Sequence, residues 1–299
     1  MSSTLEWIKT VFEYHPDRTQ EILDRAKDLL PPAPPVAFKL LSLLRNPSTQ
    51  ANDEVLEIIQ FDTNLTAQVL KSCNTAVVRG SEPIASLDDA VNRLGYQRIL
   101  EIVMAICFGK YFQRRKCYHG IDPYALWRHS IASALASRYL AYHSKSTKFS
   151  LQTAFTATLL HDFGKVILNL IEIPEMDLIR PLMIEKGISC SEAEMEILGT
   201  DHAEVAGLLM KEWDLPPEIY QGIRDHNHPG DDETGYADLI YLSSQCATAI
   251  FSGTTWAEYI QTVQVTIPSR IGLSNELIAK CLDPVSKDAS AIEAYLMVA

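Results

Sequence analysis

Apolar residues recur at helical spacing along almost the whole chain, and this pattern constrains the fold more than any other feature. Ile131, Leu135 and Tyr139, for example, are each four residues apart and would lie on one face of a helix. Sustained two-residue alternation, which marks strands, is scarce. The sequence therefore predicts an all-α fold.

Proline, glycine and capping residues divide this pattern into separate helices. The string Leu29 to Pro35 contains four prolines and must be extended, so a first helix from about Thr4 to Asp28 ends there. A second helix is predicted around Val36 to Leu44. Later helices are predicted at about 98–111, 125–143, 151–171, 175–186, 190–198, 202–213, 216–227, 235–252 and 274–297.

Composition and charge exclude several classes of protein. Hydrophobic residues make up 47% of the 299 residues and charged residues 21%, which is typical of a folded globular chain and not of disorder. The net charge of −12 repels phosphate backbones and anionic headgroups. Two short helices near 53–74 resemble a helix-turn-helix, but Lys71 and Arg79 are the only cations near the second. Nucleic acid and membrane partners are therefore disfavoured.

The amino-terminal sequence, the lengths of the apolar runs and the cysteines predict a cytoplasmic protein. Glu6 and Lys9 interrupt the apolar residues at the amino terminus, where a signal peptide would have an unbroken apolar region. The longest apolar run, Ile102 to Phe108, is far shorter than the roughly 20 residues that span a bilayer. We interpret the six cysteines as reduced thiols because they are widely separated and contain no CxxC pair.

The string Leu159 to Lys165 carries the strongest chemical signal, because apolar residues lead directly into adjacent His161 and Asp162. Imidazole and carboxylate are ligands for iron, manganese, nickel or zinc rather than calcium. Other helices would each present one further histidine: His129 within a helix, His202 at the start of another and His226 at the end of a third. Histidines on facing helices around a carboxylate are typical of metal sites in helical bundles.

These residues resemble the HD superfamily of metal-dependent phosphohydrolases, and further strings resemble the related HDOD domain of bacterial signalling proteins. The HDOD-like strings are Leu30 to Ala37, Asp62 to Lys71, Ile84 to Val91 and Trp213 to Ile219. The resemblance covers roughly residues 20–255. It implies an all-α HDOD fold in which an N-terminal helical subdomain packs on an HD-like helical subdomain.

We use the resemblance and the connector Lys116 to Pro123 to divide the chain. Residues 1–115 would form the N-terminal helical part of the HDOD domain, 116–255 the HD-like part and 256–299 a C-terminal helical extension.

The resemblance also implies a ligand set for one or two divalent transition metal ions. The corresponding residues are His129, His161, Asp162, His202 and His226. Asp162 would bridge two ions and Lys165 would approach a substrate phosphate, so these two would carry any catalysis.

Two departures from the HD pattern argue against catalysis. The last HD ligand, an aspartate, should fall within Leu239 to Gln245, where Ser244 or a neighbour stands instead. The paired histidines of HD-GYP phosphodiesterases become His226 and Asn227 here, and no Gly-Tyr-Pro follows. HDOD domains generally are thought to have lost catalysis and to act as regulatory modules.

We therefore predict a bacterial, cytoplasmic signal-transduction module that binds a signalling protein or a small nucleotide-like ligand. The alternative is a metal-dependent phosphohydrolase acting on a nucleotide or cyclic dinucleotide. For each candidate side chain a purely structural role stays open: the histidines could form a hydrogen-bonded core network, and Lys165 could be a helix lysine that reaches solvent. His15, His119, His143 and His228 are predicted to be surface residues.

Overall fold

The computed structural model describes residues 18–30, 37, 39, 56–57, 59–74, 82–112, 118–146, 148–171, 173–230, 234–260 and 266–296. Within these ranges every regular element is a helix, and one isolated antiparallel bridge joins Tyr118 and Ile121. The all-α prediction is confirmed.

Four helices of the N-terminal part have described bounds: α1 Arg18–Lys27, α2 Thr63–Cys73, α3 Leu87–Leu94 and α4 Tyr96–Phe112. Local capping explains where they begin, since Asp62 and Ser86 accept backbone N–H groups at the starts of α2 and α3. The first seventeen residues and most of the helix predicted around Val36 to Leu44 lie outside the described ranges.

The remainder of the chain adds eleven α-helices with described bounds and a 3₁₀ turn at Pro174–Leu178. The helices are α5 Pro123–His143, α6 Leu151–Leu160, α7 Phe163–Ile171, α8 Ile179–Lys186, α9 Cys190–Leu198, α10 His202–Glu212, α11 Pro217–Asp225, α12 Tyr236–Ser252, α13 Trp256–Tyr259, α14 Ile267–Arg270 and α15 Asn275–Leu296.

Helix α5 is a central helix of the fold. It packs against α6, α12 and α15. Its middle is rich in small buried residues, including Ala132, Ala134 and Ala136, which let the neighbouring helices approach closely. The N-terminal part joins the same core, because α4 is buried along nearly its whole length and contacts α5 and α6.

A buried ion network ties the last helix to this core. Glu101 on α4 is 2% exposed and accepts from Arg98 at 3.1 Å and from Arg138 of α5 at 2.6 Å. Both guanidinium groups also reach Asp288 of α15, at 3.3 and 3.5 Å. Burial raises the pKa of Glu101, while the two arginines oppose that rise.

The single helix predicted over 151–171 is wrong in one respect. The α-helical hydrogen-bond pattern is interrupted at His161 and Asp162, although His161 keeps helical φ and ψ of −57° and −37°. The His161 N–H donates to Thr158 and the Lys165 N–H to Asp162, in each case three residues back along the chain. Leu151–Ile171 is long and apolar enough to span a membrane by composition, yet 89% of its most apolar window is buried inside the fold. The stretch is a core element broken at the two polar residues.

Candidate metal centre

The turn between α6 and α7 places His161 and Asp162 at the middle of the molecule. Both are almost fully buried, at 1% and 2% exposure. The His161 Nε2 atom lies 3.5 Å from Asp162 Oδ2. Buried carboxylates are found almost only where partners compensate the charge, so Asp162 marks a site and not a packing position.

Three further histidines surround this carboxylate. The Nε2 atom of His129, on α5, lies 4.0 Å from Asp162 Oδ2, and that of His202, the first residue of α10, lies 3.5 Å from Oδ1. His226 follows α11, with its ring 5.0 Å from that of His161 and 5.5 Å from that of His202. All five predicted ligands therefore converge, and we call these residues the HD centre.

The hydrogen bonds of the outer ring nitrogens orient three of the histidines. The Nδ1–H groups of His161 and His226 donate to the carbonyls of Thr158 and Ile223, at 2.7 and 2.6 Å. The Nδ1–H group of His202 donates to Glu194 Oε2 at 2.6 Å. Because Nδ1 carries the proton, Nε2 carries the lone pair, and this is the arrangement that metal-ligating histidines show in proteins.

The donor set fits one or two divalent transition metals. His129, His161 and Asp162 form one group whose ligand atoms all lie within 4.8 Å of one another, and Asp162, His202 and His226 form a second. Asp162 belongs to both groups, as a bridging carboxylate would. Neutral imidazoles with one carboxylate favour iron, manganese, nickel or zinc over calcium.

Burial favours the neutral form of three of the four imidazoles, whereas the carboxylate of Glu194 overcomes burial and raises the pKa of His202. Burial lowers the pKa of His129 and of His226 to about 4 and that of His161 well below its ordinary value. Burial alone would raise the pKa of Asp162, but the neighbouring imidazole of His161 and the ammonium of Lys165 hold it well below its ordinary range. The centre therefore contains an ionised carboxylate, three imidazoles whose neutral form is favoured and His202, whose proton Glu194 stabilises.

Lys165 lies against the HD centre. Its Nζ atom lies 2.8 Å from Asp162 Oδ1 and its side chain is 14% exposed, so its ammonium pairs with this carboxylate. The nearby carboxylate of Asp162 raises the lysine pKa despite burial. The ammonium of Lys165 thus neutralises part of the negative charge that Asp162 would otherwise offer to a metal ion.

Gly164 explains why α7 can approach His202 so closely. A Cβ atom at this position would lie 1.8 Å from the carbonyl oxygen of His202. Only glycine permits this contact, which sets the turn bearing Asp162 against the start of α10.

Glu194, which anchors His202, was not among the residues predicted from the sequence. This glutamate of α9 is fully buried and accepts from both the backbone N–H and the Nδ1–H of His202, while Tyr118 and Cys190 donate to its other oxygen. Burial alone would raise its pKa, but the contacts with His202 and Tyr118 lower it to about 2. Its position on an apolar stripe with Ala193 and Ile197 is the sequence signal that could have identified it.

The late carboxylate of the HD pattern is absent from the position beside His129. Ser244 Oγ lies 3.0 Å from His129 Nε2. Asp238, on the same helix, pairs instead with Arg270, at 2.8 and 2.6 Å. Its charge is therefore engaged away from the histidines.

Of the remaining histidines, three have a described structure. His143 and His228 are exposed, as predicted, and His15 lies outside the described ranges. The surface prediction for His119 is wrong, because this residue is half-buried in a tight turn against the ring of Tyr118, with φ of 48°. Tyr118 is buried where its hydroxyl donates to Glu194, and His119, the next residue in the chain, is half-buried beside it.

Comparison with known proteins supports the fold. A structure of an HDOD domain protein of unknown function from Geobacter sulfurreducens is 22% identical, with a TM-score of 0.75 over 92% of this chain and 98% of that one. A candidate signal transduction protein from Marinobacter aquaeolei is 22% identical, with a TM-score of 0.74 over 97% of this chain and 67% of that one. A candidate phosphohydrolase from Shewanella amazonensis is 24% identical, with a TM-score of 0.71 over 92% and 97%.

A curated relative, an uncharacterized protein from Treponema pallidum, is 23% identical over 220 residues, which are 73% of this chain and 41% of that protein. The chain thus matches less than half the length of that relative. The family model of the HDOD domain matches residues 30–229, a range that contains all five residues of the HD centre. The chain therefore belongs to the HDOD domain family.

Proposed function

We propose that this chain is a regulatory module of bacterial cytoplasmic signalling, which binds a divalent transition metal at the HD centre and a protein partner or small nucleotide-like ligand, with little or no catalysis. The observation that carries the proposal is the hydroxyl of Ser244 at 3.0 Å from His129, where the HD pattern has a carboxylate. A neutral hydroxyl supplies neither the charge nor the strong metal bond of an aspartate.

The charge of the HD centre also supports a function with little or no catalysis. In hydrolases with two metals, the ions activate a water and hold the attacking and leaving oxygens. Here Asp162 is the one carboxylate in the HD centre, and Lys165 already donates to it at 2.8 Å. The ammonium of Lys165 would repel a second divalent ion. That ion would also have one negative ligand fewer than the HD pattern provides. His129, His161 and Asp162 would hold the first ion.

The alternative is a metal-dependent phosphohydrolase acting on a nucleotide or cyclic dinucleotide. A cavity of about 420 Å³ favours this alternative, because His129, Asp162 and Lys165 line it and a ligand there would reach the centre. In that case Asp162 would bind metal and Lys165 would contact a phosphoryl group.

Metal content and turnover, measured on one preparation, separate the two functions. Protein purified without chelator is analysed for metals, loaded with manganese, and assayed on bis(p-nitrophenyl) phosphate and on a cyclic dinucleotide. We expect bound metal, lost in His161→Ala, and no turnover above the level of Asp162→Asn. Turnover that disappears in Asp162→Asn would establish the phosphohydrolase, and absence of metal would refute a metal-binding centre.

A further inference from the structure

A third group of potential metal ligands lies on the Nδ1 side of His202. The ligand atoms of Cys190, Glu194 and His202 all lie within 4.8 Å of one another. Cys190 Sγ lies 3.1 Å from Glu194 Oε1, and His202 Nδ1 lies 2.6 Å from Glu194 Oε2. The HD centre would use the other nitrogen of this ring, since His202 Nε2 is the atom that faces Asp162. We call Cys190, Glu194 and the Nδ1 atom of His202 the thiol site.

Local structure holds the three side chains of the thiol site together. Ser189 begins α9 through a capping box with Glu192, so Cys190 is fixed as the first residue of that helix. Cys190 and Glu194 are four residues apart and therefore share one face of α9. His202 begins α10, and its backbone N–H donates to Glu194 Oε2 at 2.8 Å. The contact between α9 and α10 therefore pre-organises the three ligands.

The donor set of the thiol site is typical of zinc. Zinc binds thiolate, imidazole and carboxylate at about 2.0–2.3 Å in tetrahedral geometry, which puts the ligand atoms about 3.3–3.5 Å apart. Atoms that all lie within 4.8 Å of one another reach this spacing through side-chain shifts of about 1 Å. A thiolate favours zinc over manganese, which prefers oxygen ligands. The sulfur therefore distinguishes the thiol site from the HD centre, whose donors are nitrogen and oxygen.

Charge and access also fit a zinc ion. The carboxylate of Glu194 and the thiolate of Cys190 balance the two charges of zinc, so no net charge is buried. Zinc replaces the thiol proton, which passes to solvent, while the His202 ring keeps a proton on Nε2. Cys190 is half-buried, whereas Glu194 and His202 are almost fully buried. The ion, and a water that fills its fourth position, would therefore enter on the Cys190 side.

We propose that the thiol site binds one zinc ion through Cys190 Sγ, the Glu194 carboxylate and His202 Nδ1. The ion would join the start of α9 to the start of α10. Tyr118 donates to Glu194 Oε1 and would orient this carboxylate on the metal.

The thiol site does not depend on the metal proposed for the HD centre. The group that would hold the first ion there consists of His129, His161 and Asp162, and it does not include His202. One ion at the HD centre and one zinc ion at the thiol site are therefore compatible. A second ion at the HD centre would need Nε2 of His202, which keeps its proton when zinc holds Nδ1.

A cobalt titration of the reduced, metal-free full chain tests the proposal by absorption spectroscopy. Cobalt(II) adopts the tetrahedral sites of zinc, and a cobalt–thiolate bond gives an intense charge-transfer band in the near ultraviolet that nitrogen and oxygen ligands do not give. We expect a saturable band, which an excess of zinc removes. Cys190→Ser should abolish the band, whereas Cys281→Ser, the same change on α15, should leave it unchanged. A band that persists in Cys190→Ser would overturn the proposal.

Two further measurements keep the test independent of that variant and of the HD centre. X-ray absorption of the zinc-loaded unaltered chain should show a sulfur neighbour at about 2.3 Å from zinc. Zinc with nitrogen and oxygen neighbours alone would refute the thiol site. His161→Ala removes a ligand of the HD centre and should keep the cobalt–thiolate band, so that a failure of metal binding at the HD centre is distinguishable from a failure at the thiol site.

Discussion

The Nε2 atom of His129 lies 3.0 Å from Ser244 Oγ, and this contact joins the central helix α5 to α12. The resemblance to the HD superfamily predicts that the missing aspartate falls at Ser244 or a neighbour. The hydroxyl therefore lies where a carboxylate would complete the ligand set.

Ser244→Asp should tighten metal binding about tenfold, which corresponds to roughly 1.4 kcal/mol of added attraction. The new carboxylate would lie beside His129 and supply the missing negative ligand. The measurement is a competition titration of manganese against a chromophoric chelator. Ser244→Asn, which has the same shape without charge, is the control, and equal affinities in the two variants would contradict the prediction.

Glu194→Gln should weaken metal binding roughly ten- to hundredfold, because the carboxylate orients His202 and increases the basicity of its Nε2 atom. Glu194 accepts from the His202 Nδ1–H at 2.6 Å. The same competition titration measures the change. Glu196→Gln on the same helix removes an exposed carboxylate that pairs with Lys186, and its affinity should equal that of the unaltered chain.

Gly164→Ala should lower the free energy of unfolding by about 3 kcal/mol, because the added Cβ would lie 1.8 Å from the His202 carbonyl oxygen. Urea denaturation monitored by circular dichroism gives the value. Gly253→Ala is the matched control: its Cβ would meet nothing within 4 Å, and only its φ of 70° opposes alanine. A cost of about 1 kcal/mol is expected there, and equal costs at both sites would show that the backbone contact is unimportant.

Cys73 and Cys107 should resist alkylation at pH 8. Burial raises the pKa of the Cys73 thiol to about 11 and that of Cys107 to about 12. The folded chain then holds these protons while the unfolded chain releases them, so both residues lower the stability as the pH rises above about 9. Peptide mass spectrometry after iodoacetamide treatment should find both unmodified in the native chain and modified in guanidinium. Rapid native modification would mean that they are exposed.

Fragments separated at Gly120 should be insoluble or lack fixed tertiary structure. Helix α4 lies before the cut and is almost completely buried, partly against α2 and α3 and partly against α5 and α6, which lie after the cut. Each fragment would expose its side of this apolar contact. Near-ultraviolet circular dichroism and thermal unfolding test the prediction. Cooperative unfolding of both fragments at the midpoint of the intact chain would contradict it.

Local spacing in the sequence determined the helical class and most helix positions. Apolar residues at helical spacing, and caps such as Ser86, act within one or two turns of the chain. The five candidate ligands of the HD centre came from the resemblance of short strings such as Leu159 to Lys165 to the HD superfamily. Interactions over a few residues can be predicted without knowing how the helices pack.

Only the tertiary structure decided the partners of these residues. Glu194 binds His202, Ser244 contacts His129 and Lys165 lies buried on Asp162. The break at His161 also depends on packing, since its ring must reach a centre shared by several helices. Contacts of this kind join residues far apart in the sequence, and their energies come from burial and hydrogen bonds that exist only once the helices have docked.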